Sequence, residues 1–311
     1  MNTLLLLALA IAPGIFLVYR HSARDIYKKE PWIIVWKSFL WGAATVIPAG
    51  MLESSIEIPQ PDSLRGMLLE NFLVIALTEE LCKLAVIRFY AYRTPHFDET
   101  MDGIVYGVAV ASGFATFENI YYVMEHGMAV GMLRALLSVP THISQGAVLG
   151  YWLAKARFQR VASWQAYGIS LGIVVTTHGF FDFVLGFPDA EYFYLSPLPL
   201  ILLGWLVKRY VKQALAHDAE HIHGLTVTSI TAPAATAPAG SLAPSIRNLV
   251  YIALRFLSII CYLTAGFLML GWVSNYLEQG EELWALILPL TPLLLGLYMA
   301  AKARKLLVQQ G

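Results

Sequence analysis

Four short stretches of the 311-residue chain hold acid–base and ligand groups in otherwise apolar surroundings. They are Glu79–Glu80 with Lys83, Glu118–Asn119, His142, and His178 with Asp182. Side chains three or four residues apart share one face of a helix. Lys83 can therefore pair with Glu79 or Glu80, and Asp182 can hold the His178 imidazole or ligate beside it. Glu79 and Glu80 are about 100° apart on a helix, so one is expected to face a reaction while the other is tied to Lys83. A carboxylate that deprotonates water, a group that stabilises an oxyanion and a group that protonates a leaving amine together make peptide hydrolysis. Glu79 is the choice for general base, with Glu80 as its rival and Lys83 orienting the pair. Glu118, His142 and His178 would make a His₂Glu zinc site with an open fourth position, or an oxyanion site without metal. Asp182 then serves as a support behind the histidine or as a fourth ligand. The H-E-x-x-H spacing of soluble zinc proteases is absent, so the metal reading rests on ligand types alone.

These groups must be positioned by membrane helices. The chain is 58% hydrophobic and 14% charged, with mean hydropathy +0.61, whereas a soluble domain is about half apolar and a quarter charged. A zero net charge excludes the basic patch of a nucleic-acid binder. The expected fold is an all-α polytopic bundle of about nine transmembrane helices, over approximately 3–20, 33–51, 67–89, 103–124, 130–154, 165–187, 193–213, 248–273 and 282–303. Lys and Arg collect on every second connection, first in Arg20, Arg24, Lys28 and Lys29 and last in Lys302, Arg304 and Lys305. The positive-inside rule then puts the N-terminus outside and the C-terminus in the cytoplasm. The first run lacks a basic lead and a cleavage site, so it is expected to be retained.

The third run is expected to insert poorly by itself. Its three central charges cost about 2.5–3.5 kcal/mol each, and each Leu, Ile, Val or Phe returns only about 0.3–0.6. Its polar face needs polar partners inside the bundle, and an ionisable group at that depth points to a functional site. Pro140 removes a backbone donor two residues before His142. Residues 217–247, rich in Ala, Pro and Thr, read as a cytoplasmic linker. They divide a seven-span catalytic-type domain (1–216) from a two-span accessory hairpin (248–311). Asp98, Glu99 and Asp102 read as caps of the fourth helix, and Gly107 and Gly113 as close-packing positions. Two other functions use similar residues. A proton-coupled transporter relays protons through midplane Glu and His groups, and a non-catalytic scaffold uses them as interhelical hydrogen bonds.

In order along the chain, Glu79–Glu80–x–x–Lys83, Phe97–Asp98–Glu99–x–x–Asp102–Gly103, Gly113–Phe114–x–x–Phe117–Glu118–Asn119, His142 and His178–x–x–x–Asp182 resemble the PrsW family of intramembrane proteases. That family is related to the CAAX-protease and bacteriocin-processing group. The resemblance is closest over residues 70–185, extends to the whole seven-span region and does not include the hairpin. It implies an endopeptidase of the bacterial cytoplasmic membrane that cuts a single-span membrane protein such as an anti-sigma factor. Members are usually labelled metalloproteases. The CAAX-type relatives carry His where this chain has Glu118 and look like glutamate-dependent hydrolases, which leaves the metal open.

Overall fold

The computed structural model describes residues 3–58, 60–188, 190–223 and Tyr298. The chain divides into two compact units, Met1–Thr228 and Ser229–Gly311. The elements below belong to the first; the expected two-span hairpin and most of the expected linker lie outside the described residues. Among the described residues every regular element is helical. In order they are α1 (Thr3–Ser22), α2 (Trp32–Ala44), α3 (Val46–Ser54), α4 (Leu64–Leu68), a π-helical segment (Leu69–Ala76), α5 (Leu77–Phe89), α6 (Thr100–Leu133), a second π segment (Arg134–Ser138), α7 (Val139–Phe158), α8 (Ser163–Gly186) and α9 (Pro197–His223), with short 3₁₀ turns at Ala91–Arg93 and Ala190–Leu195.

Among the described residues, four stretches are long and apolar enough to cross a membrane: Thr3–Ser22, Trp32–Ser54, Thr100–Phe158 and Ser163–Gly186. The expected third run is spread over α4, the first π segment and α5, and the expected seventh is the first part of α9, which continues to His223. Breaks follow backbone chemistry. Pro48 cannot donate to the carbonyl of Ala44, and its ring crowds that carbonyl; α2 ends at Ala44 and α3 begins after Thr45. Within α6, Gly127 adopts φ 80°, ψ −165°, a conformation essentially reserved for glycine. The chain kinks there, between the expected fourth and fifth runs. Pro140 leaves Leu136 without its usual donor, and the preceding turn widens so that Val139 N–H reaches the Arg134 carbonyl.

α6 is the centre of the bundle. Every residue from Thr100 to Thr116 is buried. Backbones approach closely because glycines oppose one another: a Cβ at Gly103 or Gly107 would run into the carbonyl of Gly150 or Gly146 on α7, and one at Gly113 into the carbonyl of Phe39 on α2. Small residues at such crossings let helices pack in lipid, where no hydrophobic force drives them together. α8 approaches the first π segment in the same way, with Gly179 against Phe72.

Candidate active site

α5 carries Glu79, Glu80 and Lys83 on its first turns. Lys83 is fully buried, and its three N–H donors have three acceptors: Glu80 Oε1 at 2.7 Å, His142 Nδ1 at 2.9 Å and Glu79 Oε2 at 3.2 Å. Its ammonium also lies 4.2 Å from the centre of the Phe114 ring, a cation–π contact. An ammonium only donates, so Nδ1 of His142 accepts. The ring proton therefore sits on Nε2, which points at Glu118 Oε2, 3.0 Å away.

His178, one turn before Asp182 on α8, stands edge-on to His142 with ring centres 4.9 Å apart. Its Nδ1 is 2.8 Å from Glu80 Oε1. Its Nε2 is 3.0 Å from Asp182 Oδ2 and 3.7 Å from Glu79 Oε2. Both nitrogens thus face carboxylates, a shortage of positive charge that a proton or a metal ion would fill. All seven residues singled out from the sequence fall in one continuous network across α5, α6, α7 and α8.

Two further charged residues join it. Arg134, in the π turn before α7, approaches Glu118 at 2.9 Å, reaches Asn119 at 3.3 Å and lies over the Tyr122 ring at 3.9 Å. Glu53, at the end of α3, lines the same cavity. Sequence reasoning passed over both. Arg134 had a signal, since an arginine inside an apolar run is expensive unless it is partnered. Glu53 has none, because an acid in the connection after an apolar run is ordinary.

The network opens on a cavity of about 790 Å³ whose wall includes Glu53, Glu79, Glu118, Arg134, His142 and Asp182. The two adjacent glutamates differ here. Glu79 faces the cavity, whereas Glu80 is absent from its wall and fully buried. This matches the 100° offset expected along a helix.

The donor chemistry fits a metal ion. One ligand atom each from Glu79, Glu80, His142 and His178 lies within 4.8 Å of the others. Glu80 Oε2 is buried with no hydrogen-bond partner. Five carboxylates (Glu53, Glu79, Glu80, Glu118 and Asp182) meet two fixed cations (Lys83 and Arg134) in and around the cavity, an excess of negative charge that a divalent ion would offset. Glu118 falls outside the four-residue group, held by Arg134 and the far nitrogen of His142.

The PrsW family intramembrane metalloprotease profile matches residues 30–207. Protease PrsW of Bacillus subtilis (strain 168) is 35% identical over 211 residues, covering 67% of this chain and 95% of that protein. Protease PrsW of Geobacillus kaustophilus (strain HTA426) is 32% identical over 213 residues, covering 67% and 92%. That of Oceanobacillus iheyensis is 31% identical over 206 residues, covering 66% and 93%. No solved structure matches the chain significantly. Neither the transporter nor the scaffold reading gains support from these relatives. With the family matched over more than half its length and a buried Glu–His–Lys network opening on a cavity, the chain belongs to the PrsW family of intramembrane metalloproteases and is an integral membrane protease that acts on membrane proteins.

Proposed function

We propose that Glu79 is the general base of peptide hydrolysis in this pocket. The observation that carries this is the split between the paired glutamates: Glu79 faces the cavity while Glu80 is sealed behind it and lies closer to Lys83. A base must reach the water it deprotonates within about 3 Å, and Glu80 does not reach the cavity. Lys83 holds both carboxylates in place and, through Nδ1, fixes the tautomer of His142. The Arg134 guanidinium, at the cavity wall beside Glu118, is a donor for a developing oxyanion. Glu79, once protonated, returns the proton to the leaving amine.

A metal ion, zinc by donor type, would be held by Glu80, His178 and Nδ1 of His142, which would exchange its hydrogen bond from Lys83 for the ion. When bound it supplies Lewis-acid polarisation and lowers the pKa of a bound water. This donor set differs in one residue from that read in the sequence: Glu80 replaces Glu118, which instead orients His142 from behind, as outer carboxylates do for metal-ligating histidines. Asp182 does the same for His178.

The substrate is proposed to be a single-span membrane protein of the anti-sigma-factor type, in keeping with the family resemblance and with a cavity bordered by exposed apolar residues such as Ile47, Met51 and Phe117. The chain is proposed to cross the bacterial cytoplasmic membrane about nine times, N-terminus outside, which the alternation of Lys and Arg supports. With purified protein and a single-span substrate, Glu79→Gln is expected to lower turnover by about 10²–10⁴-fold without changing the melting midpoint. Unchanged turnover in both Glu79→Gln and Glu80→Gln would remove the glutamate base altogether.

A further inference from the structure

A second group of carboxylates lies at the N-terminal end of α6, about 24 Å along the helix from Glu118 by its rise per residue. Asp25 follows α1, Glu30 precedes α2, and Asp102 sits in the first turn of α6. One oxygen from each lies within 4.8 Å of the others. Asp25 is 1% exposed, Glu30 8% and Asp102 0%.

The surroundings leave these charges unbalanced. Asp102 Oδ2 caps the start of α6 by accepting from the N–H groups of Asp98 and Glu99, while its Oδ1 has no hydrogen bond of full geometry and the Glu30 carboxyl stands beside the group. Glu30 accepts from the Tyr106 hydroxyl. Both oxygens of Asp25 are sealed from solvent, and no hydrogen bond of proper geometry reaches either. The N–H groups of Tyr27, Lys28 and Glu30 approach Asp25 from its own turn as weak donors, short of full hydrogen-bond geometry. Among the described residues, no lysine or arginine forms an ion pair with any of the three. The nearby Lys28 is turned outward onto Asp98, with its side chain 57% exposed. Asp218 adds a fourth buried acid, already engaged by the N–H groups of Thr100 and Met101. Burial first, and neighbouring negative charge after it, pushes Asp25 up to about 6 and Glu30 up to about 8.

Capping accounts for Asp102 and Asp218, whereas Asp25 is buried with no full hydrogen bond to either oxygen and lies against two other carboxylates. Burying a charge is costly unless it is paired or bound to a metal. We infer that Asp25, Glu30 and Asp102 bind a hard divalent cation, calcium or magnesium, which ties the connection between α1 and α2 to the first turn of α6. The donors are all oxygen, with no imidazole or thiol, which is the pattern of those two ions and not of zinc. The ion would steady the buried helix whose far half presents Glu118 to the cavity, and this inference does not rest on the role of Glu79.

The test compares thermal melts of the full-length purified protein in EDTA, in Ca²⁺ and in Mg²⁺, for wild type, Asp25→Asn, Glu30→Gln and Glu79→Gln. Asparagine at position 25 is isosteric and removes a repelling charge. The expected result is a saturable rise in the wild-type midpoint with one of the two ions. Glu79→Gln should keep that rise, while Asp25→Asn and Glu30→Gln lose it. Asp25→Asn in EDTA should melt no lower than wild type in EDTA. Tyrosine-sensitised Tb³⁺ luminescence should be present in wild type and Glu79→Gln and lost in the two cluster variants. Three outcomes would overturn the site. The first is a wild type indifferent to both ions, which would leave protons as the compensating charge. The second is cluster variants that respond like wild type. The third is an Asp25→Asn protein that melts lower in EDTA, which would make Asp25 a backbone-capping residue.

Discussion

Lys83 is the residue on which the charge balance of the pocket turns. It satisfies Glu79, Glu80 and His142 at once, so replacing it would leave three buried acceptors short of a donor, at about 1–3 kcal/mol for each. His178 is the complementary case, with carboxylates at both nitrogens. If the pocket holds zinc through His142, His178 and Glu80, elemental analysis of purified wild type should find about one zinc per chain, and His178→Ala should lose most of it. Equal metal content in the two proteins would remove His178 from the donor set. At this scale the sequence was informative, because a charged or imidazole side chain in an apolar run has few uses. Glu79, Glu80, Lys83, Glu118, His142, His178 and Asp182 were all visible for that reason. Which carboxylate stands nearest the two histidines was not legible. Spacing within one helix says nothing about the rotation of that helix against its neighbours, so the nearness of Glu80 and the capture of Glu118 by Arg134 emerged only from packing.

The elements place these side chains through backbone irregularities and glycine contacts. A π-helical segment immediately precedes each of two motifs, Leu69–Ala76 before Glu79 and Arg134–Ser138 before His142. Such insertions re-aim the residues that follow and recur at functional sites. The second has a legible cause in Pro140, whereas the first has no proline and no signal in the sequence that we can name. The glycine crossing between α6 and α7 gives the prediction at this scale. Gly150→Val would drive a side chain into the Gly103 carbonyl and should lower stability by about 2 kcal/mol or more. Gly172→Ala on α8, with no atom within 4 Å of the new Cβ, should be neutral or slightly stabilising by helix propensity. Thermal melts of the two purified variants would check this, and equal midpoints would contradict the close-packing account. Gly107 and Gly113 were legible as packing positions, but their partners, Gly146 on α7 and Phe39 on α2, were not.

For the whole molecule, composition pointed to a helical membrane fold, and among the described residues apolar runs located most helices to within a few residues of their start. The count was harder. Hydropathy merges what the backbone divides, as in Thr100–Phe158 with its kink at Gly127. It also blurs charged helices such as α5, whose burial depends on partners elsewhere in the chain. The proposed topology rests on charge: reporter fusions in the Glu53–Arg65 and Lys155–Arg160 connections should report opposite sides of the membrane. The same side for both would overturn the proposed arrangement. The central claim is that a glutamate facing the cavity, backed by a buried lysine and two histidines, activates water for peptide-bond cleavage. Its most direct test is cleavage of a single-span substrate by purified protein in proteoliposomes, comparing wild type, Glu79→Gln and Glu80→Gln at equal folded concentration. The account predicts cleavage by wild type and a loss of about 10²–10⁴-fold in Glu79→Gln, with its binding of substrate retained; wild-type rates in Glu79→Gln would contradict it.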